Sequence, residues 1–237
     1  MAPPLEPATG DRCSPRCGRC ALPPDLCLCA EVKALWLATR VLVFLHRREV
    51  HKPTNTARMV PIALSNSEVR VVGREYERER YANLTPPGGR ALLLFPSSDS
   101  VELTKAGARE LCYASPLTLV VPDGNWRQAR KIALHEEGLA LVPRVHLPTG
   151  PRSELALRAH PDPGRISTFE AIARALGILE GEAVQQALER ALALKVERTR
   201  WTRKRPKKAE IEASALRPVR DGDEDDEGDD EPEADAT

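Results

Sequence analysis

From residue 40 onward the chain alternates short, nearly continuous apolar runs with longer amphipathic stretches rich in alanine. Residues 40–46, 69–72, 91–96, 117–122 and 154–158 read as strands, and residues 55–65, 101–112, 126–137, 168–179 and 182–200 read as helices. Strands that lack polar alternation must be covered on both faces, and interleaved helices supply the cover. The expected fold is α/β, a mostly parallel sheet with helices on both faces. Asn55, Asn125 and Thr168 stand where helix N-caps belong, and Gly138 where one helix closes. Sheets of this class bind ligands beyond the carboxyl ends of their strands. The residues after His46, Phe95 and Pro122 are therefore the places to look.

A chain of 237 residues can bury such a core without disulfide staples. No apolar run approaches the roughly 20 residues that cross a bilayer, and residues 1–12 show no secretory signal, so a cytoplasmic protein without a membrane partner is expected. The net charge of zero is misleading. Of 35 Asp and Glu, eleven lie in residues 221–237, which hold no Lys or Arg; the preceding 220 residues set 35 basic groups against 24 acidic ones, a charge of +11. A body this basic points to nucleic acid. The chain divides into a flexible leader (1–12), a cysteine-rich segment (13–32), an α/β domain with a basic C-terminal helix (33–208) and a disordered acidic tail (209–237). The tail either solubilises the chain or competes with nucleic acid for the basic face.

Five of the six cysteines fall in seventeen residues. Cys17 and Cys20 form one close pair and Cys27 and Cys29 another, with Pro23 and Pro24 stiffening the loop between them. Four thiolates in two tight pairs suit structural zinc, and they leave no open position for water. Cys13 is either a spare or a substitute for Cys17.

Asp123 follows an apolar strand and precedes a helix beginning near Trp126. At such a strand end a carboxylate either accepts or orients a proton, or serves as a plain N-cap. Arg127, Arg130 and Lys131 place positive charge on the same helix. His46 and Glu49, followed by the polar run Lys52, Pro53, Thr54, Asn55 and Thr56, lie at a second strand end; Ser167, Thr168 and Glu170 open another helix. Helix starts of this kind suit anions. Neither a Gly-x-Gly-x-x-Gly fingerprint nor a Gly-x4-Gly-Lys loop is present, which disfavours those familiar nucleotide sites.

In this order the segments resemble the DTW-domain family. The matching residues are Cys17-Gly-Arg-Cys20 with Cys27-Leu-Cys29, His46-x-x-Glu49 with the run to Thr56, residues 92–97, Asp123-x-x-Trp126 and Ser167-Thr-Phe-Glu-Ala171, covering roughly residues 17–180. The chain departs from the family in having Asn125 in the Thr place of Asp-x-Thr-Trp and Arg47 where many relatives have Pro. The resemblance implies a tRNA-uridine aminocarboxypropyltransferase with a knotted sheet like that of the SPOUT methyltransferases. It further implies S-adenosylmethionine as donor, tRNA as partner and no DNA. Under it Asp123 and Trp126 are the catalytic residues, Phe95, Pro96, Ser97, Asn125, Ser167 and Thr168 contact the cofactor, and His46, Glu49, Asn55, Arg127, Arg130 and Lys131 contact RNA. The basic run from Lys195 would add phosphate contacts. Two other readings stay open: a zinc-bearing RNA-binding module without catalysis, and an RNA methyltransferase using the same donor. Ribosomal RNA is an alternative substrate.

Overall fold

The apolar run at residues 117–122 has no polar face to offer solvent, and it becomes the buried centre of a sheet. The computed structural model describes residues 16–73, 82–112, 116–135, 137–151, 153, 155 and 166–204. Among them, six strands lie in order along the chain: β1 (Arg40–His46), β2 (Ser67–Val72), β3 (Arg90–Leu94), β4 (Val101–Glu102), β5 (Leu117–Asp123) and β6 (Arg144–His146). They form one sheet of order β2-β1-β5-β3-β6-β4, and every pairing is parallel. β5 is buried at each position. Its register sets Leu45 of β1 beside Asp123 and Leu93 of β3 beside Val120, so the carboxyl ends of the central strands share one edge.

Successive side chains point to opposite faces, and two cores result. Val43, Leu119 and Val121 face a layer made by α4 (Thr168–Glu180) and α5 (Glu182–Lys204), with Phe169 and Leu192 at its centre. Leu42, Phe44 and Val120 face Ala129, Ile132 and Ala133 of α3 (Trp126–His135). Helices cover both faces, as a two-sided apolar sheet demands. The cysteine segment joins the first core through Cys20, Leu22 and Leu28. No helix among the described residues is long and apolar enough to cross a membrane.

The shortest elements escape the sequence pattern. Residues 101–112 are not one helix: Val101 and Glu102 pair with β6, and α2 (Lys105–Cys112) begins after them. β6 itself spans three residues, too few to show a period. Residues 55–65 hold a 3-10 turn (Ala57–Met59) and the four-residue α1 (Val60–Ala63). Gly138 falls in a separate 3-10 turn, Glu137–Leu139. The leader, Cys13, most of the expected strand at 154–158, residues 205–208 and the acidic tail lie outside the described residues.

Leu119 is fully enclosed in the first core, so Leu119→Ala is expected to cost about 2–5 kcal/mol in urea unfolding. A loss below about 1 kcal/mol would contradict this packing.

Candidate active site

β5 ends at Asp123, which is only 4% exposed. A buried carboxylate needs donors, and two come from distant parts of the chain. Asn55 donates from Nδ2 to Asp123 Oδ2 at 2.6 Å, and the Thr168 hydroxyl donates to Oδ1. The loop carrying Asn55 also meets the start of α4 directly, the Phe169 N–H donating to Thr56 Oγ1 at 3.4 Å. Among the described residues, Asn55 Oδ1 is itself buried without a hydrogen-bond partner.

These bonds correct the expected caps. Asn55 and Thr168 are not at N-cap positions: the turn after Asn55 begins at Ala57 with Thr56 before it, and Thr168 is the first residue of α4. Ser167 is the N-cap of α4, its Oγ accepting from Glu170 N at 3.3 Å. Asp123 is likewise not the cap of α3. Asn125 fills that role: its Oδ1 accepts from Gln128 N at 2.9 Å, and Gln128 Oε1 accepts from Asn125 N at 2.8 Å, a reciprocal arrangement. A Cβ on Gly124 would lie 2.8 Å from Gln128 Cβ, so the turn between the carboxylate and its helix needs glycine.

One turn further, Trp126 is 45% exposed and stacks on buried Phe95, with ring centroids 5.1 Å apart and planes inclined by 25°. Phe95 follows β3, the neighbour of β5, so the aromatic pair and Asp123 occupy one sheet end. Ser97 shapes the loop beyond: its N–H bonds Ser100 Oγ at 3.1 Å and its hydroxyl bonds Asp99 at 2.7 Å, while Pro96 is exposed. His46, at the end of β1, accepts from Arg48 N at Nδ1 (3.2 Å). Burial lowers its pKa below the ordinary value, and the charges of Arg48, Arg47 and Lys131 lower it further. A Cβ on Gly73 would lie 2.9 Å from its ring. Glu49 is buried and paired with Lys52. Arg127, Arg130 and Lys131 lie on the exposed side of α3, opposite Ala129, Ile132 and Ala133.

The four cysteines form a separate cluster. Cys17 and Cys29 Sγ are 3.8 Å apart, as are Cys20 and Cys27, and all four sulfurs lie within 4.8 Å of one another. Tetrahedral zinc with Zn–S bonds of about 2.3 Å sets sulfurs about 3.8 Å apart, so the donor set and its spacing fit zinc. Burial raises the Cys17 thiol, but N–H groups of Cys20 and Arg19 and the neighbouring thiols bring it to about 7. Burial and the Cys20 and Cys17 charges push Cys29 far up. Thiols this close need a cation in order to ionise together.

The run from Lys195, expected to contact phosphates, divides in the structure. Lys195 is fully buried and donates to the Cys20 carbonyl at 2.5 Å; Arg198 donates to the carbonyls of Cys27 (3.0 Å) and Leu26 (3.2 Å) and pairs with Glu31 at 2.7 Å. Arg200, Trp201 and Arg203 are exposed. The signal was spacing: Lys195 falls on the apolar stripe of Leu188, Leu192 and Thr199. Arg58, buried and bonded to Gly18 and Val50 carbonyls, was also missed.

A family model described as the DTW domain matches residues 14–200. The chain is 30% identical over 195 residues to tRNA-uridine aminocarboxypropyltransferase 2 of Macaca fascicularis, covering 80% of this chain and 64% of that protein. It is 29% identical over 184 residues to the Drosophila melanogaster protein of that name (75% and 72%) and 30% identical over 204 residues to tRNA-uridine aminocarboxypropyltransferase A of Arabidopsis thaliana (73% and 76%). The match thus spans less than two thirds of the macaque relative, and of a mouse one at 61%. No solved structure matches.

His46 is expected to titrate below the ordinary histidine value in an NMR pH series, since burial and the charges of Arg48, Arg47 and Lys131 outweigh that of Glu49; titration at or above the ordinary value contradicts the geometry. Asn125→Ala should destabilise the fold by about 0.5–2 kcal/mol through loss of the α3 cap, read by thermal unfolding.

Proposed function

The chain belongs to the DTW-domain family, and on that premise we propose that it transfers the 3-amino-3-carboxypropyl group of S-adenosylmethionine to N3 of a uridine in tRNA. One observation carries the reading. A buried carboxylate, oriented by two side-chain donors, stands at the carboxyl end of the central strand beside a half-exposed indole. The donor's sulfonium activates its attached carbons, so the protein has to expose one of them and deprotonate uridine. Asp123 accepts the N3 proton as N3 bonds the terminal carbon of the transferred chain. The carbon–sulfur bond breaks with its electron pair going to sulfur, leaving 5′-methylthioadenosine.

Asn55 and Thr168 hold the carboxylate in one orientation, so their part is positioning. The partnerless Asn55 Oδ1 offers an acceptor for a ligand N–H beside Asp123. Trp126 supplies an apolar surface on which an unstacked base can lie. Phe95, Pro96, Ser97, Asn125 and Ser167, on the loops around it, form the donor side; His46 and Glu49 flank the opposite edge. Arg127, Arg130 and Lys131 present the exposed cations that tRNA phosphates need. The all-parallel ladder and the meeting of these loops at one sheet end support a SPOUT-like arrangement, with the knot as its further expectation. Cys17, Cys20, Cys27 and Cys29 would hold a zinc ion, and four thiolate ligands would give it a structural and not a catalytic part. We read residues 13–32 as the metal segment and 33–208 as the catalytic domain. A tRNA substrate is what supports a cytoplasmic location.

The test is incubation with S-adenosylmethionine and unmodified tRNA, followed by nucleoside mass spectrometry. Aminocarboxypropyl-uridine with released methylthioadenosine is expected; a methyl adduct, or binding without modification, overturns the reaction. Asp123→Asn should lower the transfer rate by about 10²–10⁴-fold, and Asn55→Ala by up to about 10²-fold through misplacement of the carboxylate. Full activity in Asp123→Asn removes the assignment. Affinity for tRNA should fall steeply between low and moderate salt, and a flat response removes the phosphate role of α3.

A further inference from the structure

Two of the cations around the cysteine cluster serve no carboxylate among the described residues. Lys195 and Arg58 are both essentially inaccessible to solvent, and among the described residues neither forms a salt bridge with Asp or Glu. Lys195 donates to the carbonyl of Cys20, a ligand candidate, and Arg58 to that of Gly18, between two of them. Lys195 and Arg58 also repel each other, and Arg16 adds to the repulsion at Lys195; the opposing negative charge comes from the cysteines, Cys20 and Cys29 acting on Lys195 and Cys20 and Cys17 on Arg58. A zinc ion with four thiolates carries a charge of −2, and two buried cations balance it. Arg58 also reaches outward. Its guanidinium donates to the carbonyl of Val50, and it sits three residues after Asn55, whose amide holds Asp123.

We propose that Lys195 and Arg58 are the paired counter-charges of a doubly negative zinc tetrathiolate, and that Arg58 thereby ties the metal centre to the loop that positions Asp123. Without the metal the two cations are buried with no opposing charge, which a protein interior strongly disfavours. The loaded centre is then a condition for the loop at residues 47–56 to close over the strand end, although it lies outside the chemistry.

The proposal rests on reading the four cysteines as a zinc site. The experiment measures zinc content of the purified full chain and the rate of zinc transfer to a colorimetric chelator, for the wild type, Lys195→Met, Arg58→Met, Cys29→His and the double variant Lys195→Met with Cys29→His. A wild-type chain that neither carries nor takes up zinc removes the metal reading itself. With a loaded wild type, either Met variant should lose zinc about 10–100-fold faster, the range typical of groups that support metal ligands. Cys29→His lowers the centre's charge to −1, so Lys195→Met should cost much less in that background. Zinc retention at the wild-type rate in both Met variants overturns the proposal. An equal loss in both backgrounds also overturns it, since packing or hydrogen bonding alone ignores the charge of the centre. Chelation of the wild type should accelerate amide exchange in residues 47–56, and unchanged exchange there overturns the link to the loop.

Discussion

A carboxylate inside an apolar sheet is tolerated only where donors surround it, and the site described here is arranged around that requirement at Asp123. The strand delivering it is buried on both faces, so no water-facing route satisfies the charge. Two of its donors, Asn55 and Thr168, come from segments 68 and 45 residues away in sequence. Meeting at one side chain, they draw the loop after β1 and the start of α4 to the end of β5. The Phe169 bond to Thr56 closes the same junction. An unsatisfied buried charge would cost several kcal/mol, comparable to the whole stability of a domain. The constraint that orients the proposed base is therefore also one that assembles the three segments.

The cysteine segment obeys a similar logic with the signs reversed. Its carbonyls receive Arg16, Arg58, Lys195 and Arg198, drawn from the segment's own start, from the turn before α1 and from α5. Leu22 and Leu28 fill the core against the helical layer. Residues 16–32, with four cysteines, look like an appendage when read alone, yet side chains from two other parts of the chain clamp them. Cationic side chains that would otherwise extend the basic surface hold the segment in place. The basic character of α5 thus divides between an inner half that stabilises the cluster and an outer half, around Arg200 and Arg203, that faces solvent.

Much of this was legible in the residues, and the illegible part has a common cause. Long apolar runs announced β1, β3 and β5, because a strand buried on both faces has few other compositions open to it. The strand-end rule pointed at Asp123 and at the residues after His46 and Phe95, while the site roles of Phe95, Trp126 and Thr168 came only from the family resemblance. The partners of Asp123 were not legible. Asn55 and Thr168 carry the local signature of caps, and only the fold shows that their donors serve a distant carboxylate. β4 and β6 were too short to carry a period. Lys195 was grouped with its charged neighbours in sequence, whereas its position on the apolar stripe of α5 governs where it goes.

The strand order has a consequence for how the molecule comes into being. β5 lies between β1 and β3 but is made after both. Until residue 123 has left the ribosome, neither earlier strand has its central neighbour, and two of the most apolar edges of the chain stand open. Such edges pair readily with the wrong partner. The nascent chain should therefore depend on holding chaperones over that interval, and swapping between two growing copies is the natural failure when the hold is lost.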